Sequence, residues 1–188
     1  PVIVKEFSTD MLVNKHRSLE KDFEPDDLVS IDEEYAADDT QAGSRIAVNA
    51  FIKMYKAAKK DGYDLVINSS YRSYGEQEDT CDTYRQLYGE NYVLNYVAMP
   101  GFSEHQTGLS FDIGSRNSNV FAESEEYEWI QENAHKYGFI QRFPSKYEAI
   151  TGFRAEPWHY RYVGKKIATY IYEHDISFEE YYVLFLDS

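Results

Sequence analysis

Two short segments constrain this chain more than any other feature: Ser103-Glu104-His105-Gln106-Thr107-Gly108-Leu109-Ser110-Phe111-Asp112 and Glu156-Pro157-Trp158-His159-Tyr160-Arg161-Tyr162. Together they hold three side chains of metal-ligand type and one spare carboxylate, so a fold must carry both segments to one place. A catalytic zinc takes three protein ligands from His, Asp, Glu or Cys and keeps a fourth position for water. His105, Asp112 and His159 fill that quota, and Glu156 is left free to act as a base. That set is sufficient for a zinc hydrolase site.

The spacing adds detail. His105 and Asp112 are seven residues apart, too far for one strand face and too irregular for a pair on helix turns, so a turn must fold them together, and Gly108 supplies it. The helical His-Glu-x-x-His pairing is absent. Glu156 and His159 lie three apart, with Pro157 fixing the backbone between them. With a strand beginning near Trp158, His159 points inward to the metal and Glu156 sits in the preceding turn, close but not ligating. From there it takes a proton and returns it to a departing amine, while zinc lowers the pKa of water toward about 7 and polarises a carbonyl. Arg72 is the natural partner for negative charge on the carbonyl oxygen, or for a substrate carboxylate. The remaining histidines, His16, His135 and His174, read as structural, and Cys81 as a packed or exposed residue of a predicted helix. Taken singly, Ser103 is a turn or cap residue.

A length of 188 residues fits a single domain spanning 1–188, with 1–40 as an N-terminal arm on the core, and 43% hydrophobic residues supply that core. The 18 tyrosines suit half-buried surfaces and grooves that touch polar ligands. A net charge of −14 argues against nucleic acid, which needs a basic face, and disfavours an anionic membrane surface. No run of 18 apolar residues exists to span a bilayer. The chain starts at Pro1 without a charged and then apolar leader, as expected of a mature or trimmed fragment. With Cys81 alone there is neither an intramolecular disulfide nor a Cys-rich zinc knuckle.

Periodicity predicts a helix over 41–60, whose apolar positions Ile46, Ala47, Ala50, Phe51, Met54, Tyr55 and Ala58 share one face and which Gly62 ends. A β-prone run over 65–70 delivers Tyr71-Arg72-Ser73, and helices follow over 75–87 and 91–97. Leu109 to Ile113 alternates as a strand and sets Asp112 opposite Phe111. A helix over 124–137 stops at Gly138, and strands over 139–143 and 158–163 flank a loop marked by Pro144 and Gly152. Helices over 165–173 and from Ser177, with a Ser177/Glu180 capping box, close the chain. The acidic stretch Asp32 to Asp39 reads as a solvated loop. The expected class is α+β, a small antiparallel sheet flanked by helices.

These residues resemble the zinc D-Ala-D-Ala carboxypeptidase family, its VanY and LdcB-type branch, with VanX dipeptidases and Hedgehog-like folds as relatives. The family pattern Ser-x-His-x-x-Gly-x-Ala-x-Asp matches Ser103 through Asp112, with Ser110 in place of alanine, and Glu-x-x-His matches Glu156 to His159. Ser70-Tyr71-Arg72-Ser73 with Gln77 resembles the family's arginine segment. Leu12 to His16 with Pro25 to Val29 resembles its N-terminal stretch, so the resemblance covers about Leu12 to Gly164.

The resemblance implies a Hedgehog/D-Ala-D-Ala peptidase-like fold, with zinc on His105, Asp112 and His159, Glu156 as base and Arg72 as carbonyl or oxyanion stabiliser. Ser103 and Gln77 would hold the terminal D-alanine carboxylate, with Tyr71 and Trp158 as further substrate contacts. It also implies peptidoglycan stem peptides as substrate and an extracellular setting at a bacterial cell surface, secreted or membrane-anchored in full length; the resemblance does not bear on oligomeric state, for which a monomer is the expectation. The activity so implied is zinc-dependent removal of the terminal D-alanine, and the preserved N-terminal stretch favours the D,D reading. The alternatives are L,D-carboxypeptidase action on tetrapeptide stems, a D,D-dipeptidase with a closed small pocket, and a catalytically silent zinc-containing peptidoglycan-binding module. Loss of the base would mark the last, and Glu156 is present.

Overall fold

The structure is a computed structural model that describes residues 1–187. Its N-terminal part carries four three-residue strands, β1 (Val2–Val4), β2 (Arg17–Leu19), β3 (Leu28–Ser30) and β4 (Ala42–Ser44). The first two pair in parallel and the second two antiparallel. Helix α1 (Arg45–Lys60) buries Ala47, Val48, Phe51, Met54, Tyr55 and Ala58, one face of a 3.6-residue repeat. It starts at Arg45 rather than residue 41 because Ala42–Ser44 is hydrogen-bonded to β3 instead.

Strand β5 (Leu65–Ser69) leads into α2 (Tyr74–Tyr88), which Ser73 and Glu76 open with a capping box, and then α3 (Glu90–Tyr96). A 3-10 turn at Glu104–Thr107 precedes β6 (Ser110–Ser115). Helix α4 (Glu125–Asn133) tightens into a 3-10 turn at Ala134–Tyr137 before β7 (Phe139–Phe143). The single-turn α5 (Glu148–Thr151) lies in the following loop. Strand β8 (Glu156–Tyr162), α6 (Lys165–His174) and α7 (Phe178–Phe185) complete the chain, α7 opened by the Ser177/Glu180 box.

The central sheet has the order β5-β6-β8-β7, antiparallel at each pairing, which gives the α+β class expected from the sequence. Its two faces do different work. Phe111 and Ile113 of β6, Tyr160 of β8 and Phe139 of β7 pack with Phe51 and Met54 of α1 and Ile130 of α4 in the main core. The alternate positions, Ser110 and Asp112 on β6 and His159 and Arg161 on β8, point the other way, where α7 contributes a second cluster around Ile140, Val163 and Phe178. Arm residues enter both clusters, Met11 and Val13 the first and Leu12 the second. The acidic loop at 32–39 is pinned by Ala36, buried and bridged to Ile67. Among the described residues no helix is long and apolar enough to cross a membrane.

Candidate functional site

Neighbouring strands bring the two segments together: Asp112 of β6 sits directly opposite His159 of β8. His105 reaches the same point from the turn before β6, and Gly108, at φ +68°, reverses the chain between them. One ligand-type atom from each of His105, Asp112 and His159 falls within 4.8 Å of the others. Asp112 Oδ1 lies 3.3 Å from His105 Nε2 and 3.6 Å from His159 Nδ1. Two atoms bound tetrahedrally to one zinc at ~2.0–2.2 Å stand roughly 3.4 Å apart, so these separations suit a shared ion.

The polar chemistry fits as well. Asp112 Oδ1 is buried and accepts no hydrogen bond, an expensive state for a carboxylate oxygen without a cation. His105 Nδ1 is 2.7 Å from the carbonyl oxygen of Ser70. A carbonyl only accepts, so Nδ1 carries the proton and the Nε2 lone pair is free for a metal. His159 Nε2 is likewise 3.2 Å from Glu104 Oε2, which directs Nδ1 toward Asp112 and Glu156. Burial alone would depress the His159 pKa. Hydrogen bonds to Glu104 and Glu156 and the charges of Glu156 and Asp112 outweigh it and raise the pKa to about 9.

Glu156 stands nearer than the sequence reading had it. Strand β8 begins at Glu156 itself, so the residue is on the strand and not in a preceding turn. Residues three apart on a regular strand face opposite sides. Here Gln141 pairs with Tyr160 but Phe143 pairs with Glu156, so β8 carries two more residues than β7 over this stretch. The irregularity turns Glu156 to the His159 side, with Oε2 3.4 Å from His159 Nδ1.

Arg72 lines the same cleft. Its Nη1 donates to Gln77 Oε1 (2.7 Å) and its Nη2 to Ser69 Oγ (3.1 Å), which leaves guanidinium N–H groups to spare. Gln77 is buried and used at both ends, since its Nε2 donates to the Ala98 carbonyl at 2.7 Å. Ser103 Oγ accepts from the His105 N–H at 3.2 Å and keeps its own hydroxyl proton. Trp158 lines the cleft and is exposed, whereas Tyr71 is not among the lining residues and feels the charges of Glu24 and Glu76. The cleft encloses about 830 Å³.

The sequence reading missed Glu104. Its carboxylate is buried, accepts from Arg142 Nε (2.7 Å), Arg161 Nη1 (3.0 Å) and Ser110 Oγ (3.0 Å), and faces His159. Arg142 in turn makes a bidentate pair with Glu179 of α7 at 2.8 and 2.7 Å, and Arg161 donates to the Thr9 and Met11 carbonyls. The available signal was the pair of arginines set among apolar residues in Phe139-Ile140-Gln141-Arg142-Phe143 and His159-Tyr160-Arg161-Tyr162, since a buried cation needs a buried anion.

The profile of the VanY family, D-alanyl-D-alanine carboxypeptidase, matches residues 41–165. The chain is 44% identical to YodJ of Bacillus subtilis (strain 168) over 91% of its own length and 66% of that protein's. It is 37% identical to a D-alanyl-D-alanine carboxypeptidase of Enterococcus faecalis (strain ATCC 700802 / V583) over 68% of its length, spanning 51% of the relative. Among solved structures, it is similar to the LdcB LD-carboxypeptidase, with TM-score 0.84, 43% identity and coverage of 92% of this chain and 84% of that one. A variant of the vancomycin-resistance D,D-pentapeptidase VanY in complex with Zn(II) gives TM-score 0.80, 30% identity and coverage of 92% and 98%.

Proposed function

Because this chain belongs to the VanY family of D-alanyl-D-alanine carboxypeptidases, we propose that it is a zinc-dependent carboxypeptidase that releases the terminal D-alanine of peptidoglycan stem peptides at a bacterial cell surface. The observation that carries this reading is the convergence of His105 Nε2, Asp112 Oδ1 and His159 Nδ1, with Asp112 Oδ1 buried and unpartnered, beside the Glu156 carboxylate 3.4 Å from His159 Nδ1. His105, Asp112 and His159 would hold a zinc ion, which would supply a Lewis acid able to make water acidic near neutral pH and polarise a carbonyl.

The protein's own residues supply the rest. Glu156 Oε2 takes the proton of the attacking water and hands it to the departing amine. Arg72, held on two sides by Gln77 and Ser69, points its remaining donors at the charge that grows on the carbonyl oxygen. Ser103 has a hydroxyl proton to give to the terminal carboxylate. Gln77 contributes by fixing Arg72, since its amide is already committed on both sides.

A second reading, L,D cleavage of tetrapeptide stems, is favoured by the greater identity to LdcB, 43% against 30% for the VanY pentapeptidase. One assay separates the readings. Purified protein is incubated with pentapeptide, tetrapeptide and D-Ala-D-Ala, with and without chelator, and released D-alanine is measured. Release from the pentapeptide alone supports the D,D reading, and release from the tetrapeptide alone the L,D one. No release from any substrate with zinc bound sinks the enzyme reading. Glu156→Ala should cost about 10²–10⁴-fold in turnover, the range typical of a general base, while zinc stays bound. Loss of the metal in that variant would make Glu156 a ligand instead.

A further inference from the structure

The buried carboxylate of Glu104 is gripped unevenly. Both arginines close on one of its oxygens, Arg142 Nε and Arg161 Nη1 donating to Oε1 at 2.7 and 3.0 Å. Their other donors go elsewhere: Arg142 Nη1 and Nη2 to Glu179, Arg161 Nε to the Tyr162 carbonyl, and Arg161 Nη2 to the carbonyls of Thr9 and Met11. The second oxygen, Oε2, is the one that faces His159 Nε2 at 3.2 Å, and it accepts from the Ser110 hydroxyl at 3.0 Å. The last torsion of a glutamate is broad, so a grip at Oε1 alone leaves Oε2 free to swing away from the imidazole.

Ser110 is placed to remove that freedom. It is fully buried on β6, two residues before Asp112 on the same face of the strand, and it pairs with Arg161 of β8 as Asp112 pairs with His159. A buried hydroxyl costs free energy unless it is hydrogen-bonded. Among the described residues, the partner of Ser110 Oγ is Glu104. The main chain of Glu104 is fixed separately, by the Thr107 hydroxyl that donates to its carbonyl. A circuit therefore closes: Ser110 sets Glu104 Oε2, Oε2 sets the His159 ring, and His159 Nδ1 faces Asp112 on the strand that carries Ser110. His105 needs no such relay, because its Nδ1 rests on the backbone carbonyl of Ser70.

We propose that Ser110 is a positioning residue of the zinc site, whose hydroxyl fixes Glu104 Oε2 and, through it, the ring orientation of His159. Ser110 does not touch the metal. Its effect is to hold a side chain that holds a ligand, so one histidine is aimed by the backbone and the other by two side chains in series. This inference rests on the proposed zinc site and deepens it.

Zinc affinity, read by competition with a chromophoric chelator, tests it. Ser110→Ala should weaken zinc about tenfold, the lower end of the range for losing a group that orients a ligand. In a Glu104→Gln background the same change should alter affinity by no more than about twofold, because the carboxylate it aims is already gone. Proton NMR of the zinc-loaded protein with ¹⁵N-labelled histidine supplies a second readout. The His159 Nε2 proton should exchange with water faster in Ser110→Ala, while the His105 Nδ1 proton, held by Ser70, keeps the parent's rate. Should the alanine variant fail to fold, Ser110→Cys, of similar size but a weak donor, carries the same expectations. Unchanged zinc affinity, an equal loss in both backgrounds, or equal acceleration at both histidines would overturn the assignment, since each marks a residue that only supports packing. A parent protein that binds no zinc would overturn it together with the metal site. Zinc affinities as expected with no D-alanine released would remove the activity and keep the role of Ser110.

Discussion

Glu104 is one position from His105, a proposed zinc ligand, and has a different task. Its carboxylate fixes which nitrogen of His159 faces Asp112, and it neutralises two arginines that could not otherwise be buried. Burial alone would raise its pKa, but Arg142, Arg161 and His159 hold it well below the usual carboxylate range. Glu104→Gln should lower zinc affinity about 10–100-fold, as loss of a group that orients a ligand does, measured by competition with a chromophoric chelator. It should also destabilise the fold by about 3 kcal/mol, because one charge is withdrawn from a buried set. A folded pKa below the unfolded ~4.3 means that the glutamate's contribution is complete above that pH and is lost as pH falls through the folded value. The parent protein should therefore lose more stability on acidification below pH ~4 than the variant, a comparison that urea melts across pH provide. His105, Asp112, Glu156 and His159 were legible in the sequence because ligand types at tight spacing carry their chemistry with them. Glu104 was not, since its role depends on arginines 38 and 57 residues away in the chain.

Elements of five residues or more were legible where burial imposes a period, as in α1, α6 and β6. Strands β1 to β4 have three residues each, too few to show alternation, and their existence depends on partners rather than on their own sequence. Strand β8 was placed two residues late because its irregular pairing with β7 breaks alternation where Glu156 must turn inward. The turn ahead of β6 is set by Gly108. Its positive φ costs an L-residue ~1–2 kcal/mol, and an added Cβ would lie 2.8 Å from Ser44 N and 3.1 Å from Pro25 Cγ. Gly108→Ala should thus destabilise by about 2 kcal/mol or more in a chemical denaturation curve, and weaken zinc binding as His105 shifts relative to Asp112.

At the scale of the whole molecule, both ends of the chain brace the ligand-bearing face of the sheet. Thr9 and Met11 accept from Arg161, Glu179 clasps Arg142, and Arg17 ties the arm to Tyr182 of α7. Deleting residues 1–11 strips both carbonyl partners from one nitrogen of a buried arginine, at a cost of about 1–3 kcal/mol or more. The truncated protein should melt earlier than the full chain with and without zinc. A metal that binds only the folded state adds ~4 kcal/mol at a thousandfold excess over its dissociation constant. Chelation should accordingly lower the melting temperature of the parent protein, and scarcely that of a His105→Ala variant that has lost a ligand.

The clasp between Arg142 and Glu179 also bears on biosynthesis. A chain made from its N-terminus has all three proposed ligands in hand by residue 159, while the carboxylate that completes the surroundings of Arg142 arrives about twenty residues later, at the start of α7. Nascent chains halted before residue 179 should then capture zinc more weakly than chains that carry α7, so that metal capture waits on the synthesis of that helix.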